Sequence, residues 1–228
     1  PIPVTKRADD PRKLGALAMR EALRAVGITV GEGIELGGAG ETQALVVHTS
    51  RPLGELLPML GKESDNFAAE MLLLGLAPEG ATATPEAGAA VVRDVLEKRR
   101  AFDPGMRVTN GSGLFDANRS SPRAIVGLLR AAWEDPRLGP DYVGQLAIGG
   151  VDGTLKNRFR SFADTRSIRA KTGTLAATVA LSGYVMRPGG QKPVVFSVIV
   201  NECKGKAPEA RNAIDKFVDG VARMTLGR

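Results

Sequence analysis

The chain has 228 residues, 43% hydrophobic and 25% charged, which is enough apolar material for one large or two small folded domains and rules against disorder as a whole. Its net charge of +6 suits an anionic partner such as nucleic acid, a cell-envelope polymer or a carboxylate-bearing substrate, although a solvated basic surface accounts for the same excess. A single cysteine, Cys203, and a single histidine, His48, exclude a disulfide framework and a Cys/His metal cluster, and no apolar run reaches the roughly eighteen residues of a membrane span.

From Asp10 to Val26 the apolar positions Leu14, Leu17, Ala18, Ala22, Leu23 and Val26 follow helical spacing, with Gly27 as the stop. Residues 28–49 read as short strands, with Ile28, Val30, Ile34 and Leu36 broken by glycines and followed by "ALVVH", which puts His48 in a strand as a structural residue. "RPLGELLPML" predicts a short helix ending near Gly61, and "KESDNFAAE" opens the next one. Thr84 is placed to cap a helix from Pro85 to the basic turn Lys98, Arg99 and Arg100. The Gly/Asn/Ser/Pro-rich stretch 102–122 is a long connection, after which Ser121 and Pro122 start a helix carrying Ile125, Leu128, Leu129 and Trp133. Residues 135–159 read as loop with short helical pieces. Three β-rich runs follow, "SIRAKTGTL", "TVALSGYVM" and "KPVVFSVIVN", the latter two joined by the turn signal "RPGGQ", and an amphipathic helix from about Pro208 to Met224 closes the chain.

Two short clusters carry candidate chemistry. Ser64, Asp65 and Asn66 all suit a helix N-cap, and an acidic side chain there suits the helix dipole, so capping alone accounts for them. "KTGT", Lys171 to Thr174, is equally open, since a strand carries glycine at a bulge or where something approaches its backbone. Together they are more informative, because a Ser/Asn corner followed by Lys-Thr-Gly at a strand is the pairing used by serine β-lactamases and penicillin-binding proteins. Asp152 in "GGVDGTL" either orders such a site or starts a turn, and "TNGSGLF" is either a substrate-facing loop or an ordinary turn signal.

The stretches "RPLGELLPMLGKESDNFAAE", "TNGSGLFDANRSSPRAI", "IGGVDGTLKNRF", "RAKTGTL" and "ALSGYV" with "FSVIVN" occur in the order found in the D-alanyl-D-alanine carboxypeptidase/endopeptidases, the low-molecular-mass class C penicillin-binding proteins, and the chain resembles the C-terminal part of that family. The resemblance implies an α/β (α+β) penicillin-binding-protein/serine β-lactamase-like transpeptidase fold: an antiparallel sheet flanked by helices plus an all-helical subdomain, incomplete at the N-terminus. It implies that residues 1–49 are the tail of an inserted accessory domain and 50–228 the C-terminal part of the peptidase domain. It implies roles as well. Ser64 passes a proton to the departing amine, Asn66 holds the substrate amide, and Lys171, Thr172 and Thr174 bind the terminal carboxylate of a peptidoglycan stem peptide ending in D-Ala. Gly173 lets a substrate strand lie against the backbone, the Thr174 amide serves as an oxyanion donor, and β-lactams act as inhibitors. No metal or organic cofactor is required, and the work belongs outside the cytoplasmic membrane.

One departure from the family pattern stands out. None of the serines in the chain is followed by a lysine at the third position, so the family's Ser-x-x-Lys nucleophile is absent. The expectation is that this segment lies outside the chain, in the same polypeptide or as a separate one, and that these residues alone are inactive. Two other readings stay open: a non-catalytic homologue that binds D-alanyl peptides, and a basic nucleic-acid-binding protein, against which the scarcity of aromatic residues argues.

Overall fold

Free amides at a helix start must find acceptors, and side-chain caps supply them. The computed structural model describes residues 10–35, 37, 38, 43, 46–115, 117–163 and 165–227. In it the Asp10 carboxylate accepts from the Arg12 amide at 3.0 Å ahead of α1 (Pro11–Ala25), and Gly27 takes a left-handed φ of 85° just past its end. Thr84 accepts from Ala87 ahead of α4 (Pro85–Lys98), and Ser121 from Ala124 ahead of α5 (Pro122–Glu134). Between α1 and α4 in the chain, α2 (Leu53–Glu63) and α3 (Asn66–Gly75) are separated only by Ser64 and Asp65.

The chain divides into two compact units, residues 1–50 and 51–228. In the first, the expected strands over 28–49 do not form among the described residues, and His48 lies exposed in irregular backbone. The physical reason is pairing: the extended segment after α1 is held by arginine side chains instead of a ladder. Arg24 donates to the Val30 carbonyl at 3.0 Å and to Glu32 at 2.7 Å, and Arg20 donates to the Glu32 carbonyl at 2.8 Å. Leu36, Ala44 and Leu45, part of the same expectation, lie outside the described residues.

In the second unit, α6 (Gly139–Gly144) leads into a two-residue strand, β1 (Ala147–Ile148), which lies in the stretch expected to be loop and short helix. The three β-rich runs form β2 (Ile168–Thr174), β3 (Val179–Val185) and β4 (Val194–Val200), and the antiparallel sheet has the order β1-β2-β3-β4. So short a strand has no periodicity to read; it exists because Ala147 and Ile148 pair with Ala170 and Arg169 of β2. Alternation gives each face of the sheet its cover. Ile168, Ala170, Val179, Leu181, Val185 and Phe196 pack under α7 (Ala207–Leu226), whose Ile214, Val218 and Ala222 are buried with them. Burying Leu181 and its neighbours contributes about 1.5–3 kcal/mol per large side chain. An ion pair between Arg158 and Asp215, at 2.5 Å, ties α7 to the loop that precedes the sheet.

The opposite face is apolar at one end and polar at the other. Tyr184 is fully buried there with Leu129, Val143 and Leu146 from α5, α6 and the turn after α6, and its hydroxyl donates to the Leu129 carbonyl at 2.7 Å. Burial, with Tyr142 adding to it, raises the Tyr184 pKa and keeps the phenol neutral. One ladder step away, Lys171, Ser182 and Ser197 line up across three strands, and the two serine hydroxyls share a hydrogen bond of 2.8 Å.

Candidate active site

Two elements meet at this polar end. The first is the junction of α2 and α3. Asp65 performs the capping that the sequence allowed for all three polar residues: its carboxylate accepts from the Ala68 amide at 2.9 Å. Ser64 caps nothing. It terminates α2 with φ 60° and ψ 49°, the left-handed conformation, which costs a non-glycine residue on the order of 1 kcal/mol. That turn lets two helices follow each other with almost no linker. Asn66 follows in the first turn of α3, exposed, and its side chain makes no hydrogen bond among the described residues.

The second element is the edge of β2. Pairing with β1 ends at Ala170, so from Lys171 to Thr174 that edge has no strand partner among the described residues. The Lys171 ammonium donates to Ser64 Oγ at 2.7 Å and to the Thr172 carbonyl at 3.1 Å, and burial holds its pKa below the ordinary lysine value. Because Ser64 Oγ accepts from Lys171, its own proton is free to point elsewhere. Thr172 donates to the Thr154 hydroxyl at 3.0 Å. Gly173 and Thr174 are exposed. A Cβ at Gly173 would come no closer than 3.5 Å to Ala180, an ordinary contact, so packing within the chain does not demand glycine there.

Side chains that the sequence reading passed over, or left open, hold these elements in place. Asp152 accepts from Lys62 at 2.5 Å and from the Ile148 amide at 2.7 Å, so it does more than start a turn. Glu70, one helical turn beyond Asn66, accepts from the amides of Gly111 and Ser112, both at 3.0 Å, and from the Ser112 hydroxyl. Burial pushes the Glu70 pKa up, but the Ser112 hydroxyl and the two amides outweigh it and leave the carboxyl below its usual value. The loop so anchored is further locked by Asn118, whose carbonyl oxygen accepts from the Thr109 and Asn110 amides at 2.8 and 3.2 Å. The available signal was the i, i+4 spacing of Asn66 and Glu70 on one face of α3. Among the described residues no group of three or more His, Cys, Asp or Glu could hold a metal ion.

A Lys-Thr-Gly segment at the unpaired end of a strand in an antiparallel sheet, with its ammonium on the serine of a Ser-x-Asn helix junction, defines a protein of the penicillin-binding-protein fold. Solved structures agree: penicillin binding protein 4 (dacB) from Haemophilus influenzae, determined with a β-lactam, superposes with TM-score 0.69 at 22% identity, covering 92% of this chain and 52% of that one. The sequence matches the D-Ala-D-Ala carboxypeptidase 3 (S13) family over residues 1–221, and the chain belongs to that family. It is 34% identical over 220 residues to the D-alanyl-D-alanine carboxypeptidase of Actinomadura sp. (strain R39), covering 92% of this chain and 40% of that protein. It is also 34% identical over 175 residues to the carboxypeptidase DacB of Mycolicibacterium smegmatis, covering 73% of this chain and 36% of the relative. The chain therefore spans well under half the length of these two relatives.

Proposed function

We propose that the chain is the part of a serine-type D-Ala-D-Ala carboxypeptidase/endopeptidase that binds the peptide and protonates the leaving group. The observation carrying this reading is the 2.7 Å contact between Lys171 Nζ and Ser64 Oγ, which joins residues from two distant parts of the sequence at the open end of the sheet. A stem peptide ending in D-Ala would add as a strand along Lys171–Thr174, its carboxylate meeting the Lys171 ammonium, the Thr174 hydroxyl and the Thr172 hydroxyl, which would turn its proton from Thr154 to the ligand. The backbone amide of Thr174 would donate to the oxyanion, and Asn66 would hold the substrate amide. An attacking serine hydroxyl forms an ester with the penultimate residue's carbonyl while the C–N bond breaks, and the departing amine takes its proton through Ser64. Water then hydrolyses the ester. The serine comes from a Ser-x-x-Lys segment that these 228 residues do not contain, so this stretch alone does not acylate. Residues 1–49 are the tail of an inserted domain in this reading, and the enzyme works on peptidoglycan outside the cytoplasmic membrane.

Labelled penicillin tests the proposal on the full-length protein that includes this chain. Covalent, hydroxylamine-sensitive labelling is expected, and Lys171→Ala should slow it by about a hundredfold or more. Unchanged labelling of Lys171→Ala overturns the site assignment. Saturable binding of D-alanyl peptides with no covalent label favours a binding protein of the same fold, and a salt-dependent shift of duplex DNA would favour the nucleic-acid reading.

A further inference from the structure

The turn Asp152-Gly153-Thr154 touches both halves of the site. On one side the Asp152 carboxylate holds the Lys62 ammonium at 2.5 Å, two residues before the left-handed Ser64. On the other, the Thr154 hydroxyl accepts from Thr172, which follows Lys171, at 3.0 Å. Between them Gly153, at φ 52°, lies so close to α2 that a Cβ would sit 2.6 Å from the Lys62 carbonyl oxygen. The turn itself is anchored from below. Asp152 takes the Ile148 amide at 2.7 Å, and the Gly149 amide donates to the Ile168 carbonyl of β2 at 2.9 Å. A second close approach fixes the same end of α2, where a Cβ at Gly61 would lie 2.3 Å from the Gln145 carbonyl oxygen.

We infer that this turn is a strap that sets the spacing of the two halves, with Asp152 positioning the Ser64 junction through Lys62 and Thr154 positioning the carboxylate-binding edge through Thr172. The inference rests on the peptidase reading above. Neither residue reaches the reacting atoms, and each acts on a different step. Releasing Lys62 lets the end of α2 shift and moves the Ser64 hydroxyl off the path of the departing amine, which slows acylation more than it weakens binding. When a carboxylate binds, Thr172 turns its one proton to it and accepts from the Thr154 hydroxyl instead, so losing Thr154 leaves that donor unbraced and weakens binding more than it slows the chemistry.

The experiment is steady-state hydrolysis of a D-Ala-D-Ala peptide by the full-length protein, with penicillin acylation and thermal unfolding measured alongside. Asp152→Asn keeps the acceptor for the Ile148 amide and loses the ion pair. It and Lys62→Met should each lower kcat about tenfold with KM within about twofold, the double variant should be no worse than either single, and Lys62→Arg should restore most of the rate. Thr154→Val should raise KM about fivefold with kcat within about twofold, and Thr154→Ser should recover it. Parallel losses of kcat and of affinity that follow the fall in Tm would overturn the inference, as would rates left unchanged by all of these substitutions. Lys171→Ala in the same series separates the two levels. If it slows acylation strongly while the strap variants do not, only the strap is lost; if it has no effect, the peptidase reading fails first.

Discussion

The two halves of the site are built by opposite means. The β2 edge that carries Lys171 is the rim of a sheet whose lower face is an apolar core, with Ile168, Ala170 and Leu181 fully buried beneath α7. The junction that carries Ser64 has little core beneath it: Leu53, Met59 and Phe67 around it are all exposed, and its geometry comes from a strained φ, two close glycine approaches and the Lys62–Asp152 pair. One half is located by burial, which is strong and diffuse. The other is located by a few directional contacts, each of which a single substitution can remove. Under the proposed roles, the first kind of support suits a cation that stays put through turnover, and the second suffices for a hydroxyl that hands on a proton over a short distance.

The comparison breaks most visibly in the sheet. Leu181→Ala empties a fully buried position between α7 and the strands. It should cost about 2–5 kcal/mol, read as a lower urea midpoint for the full-length protein. The matching truncation at the junction, Met59→Ala, removes a side chain that is 55% exposed and should stay within about 0.5 kcal/mol. Equal costs would mean that the junction has a core of its own.

A glycine at the junction sharpens the contrast from the other direction. Gly61→Ala would force a Cβ to within 2.3 Å of the Gln145 carbonyl oxygen, so α2 must shift. The expected cost is about 1–3 kcal/mol, with acylation falling by more than the lost stability explains, because Ser64 is three residues further on. Acylation that falls only in step with unfolding would show that the end of α2 does not set the position of Ser64.

This difference in construction also decides what could be seen in the sequence. Periodicity and β-branched runs announced β2, β3, β4 and α7, because burial imposes a pattern that repeats along the chain. Thr84 and Ser121 announced helix starts, because a cap acts within three residues. Ser64 and Lys171 were legible as a pair only through family resemblance, since their contact spans 107 residues and leaves no local trace. The Lys62–Asp152 pair, the Thr154–Thr172 bond and the grip of Glu70 on Ser112 are all long-range and polar, which is the kind of contact no spacing rule encodes. The strands expected over 28–49 failed for the converse reason. Ile28, Val30 and Ile34 have strand-forming composition, but a strand needs a partner, and Arg20 and Arg24 take that backbone instead.

Strain at Ser64 can be separated from its chemistry. Ser64→Gly and Ser64→Ala both delete the hydroxyl that receives Lys171, but only glycine is at ease at φ 60°. Ser64→Gly should unfold about 0.5–1 kcal/mol later than Ser64→Ala, while the two lose acylation to the same extent, about a hundred- to ten-thousandfold for a lost proton-transfer group. Should the glycine variant keep more activity than the alanine variant, flexibility at the junction would matter as well as the hydroxyl.

The smallest effect is a pH dependence at Glu70, which belongs to the directional half of the site. Its folded pKa lies below the unfolded value, because the Ser112 hydroxyl and the Gly111 and Ser112 amides bond the carboxylate more than burial disfavours it. A depressed carboxyl stabilises the fold fully above its unfolded pKa of about 4.3 and loses that contribution as pH falls through the folded value. Glu70→Gln should therefore lower stability near neutral pH by about 0.5–1 kcal/mol, allowing for solvent screening. The difference from the unsubstituted protein should shrink as the pH is taken below about 4. Unfolding curves of the two proteins across that range provide the check. A difference constant with pH would mean that Glu70 supports the 110–114 loop by shape alone, with no part played by its charge.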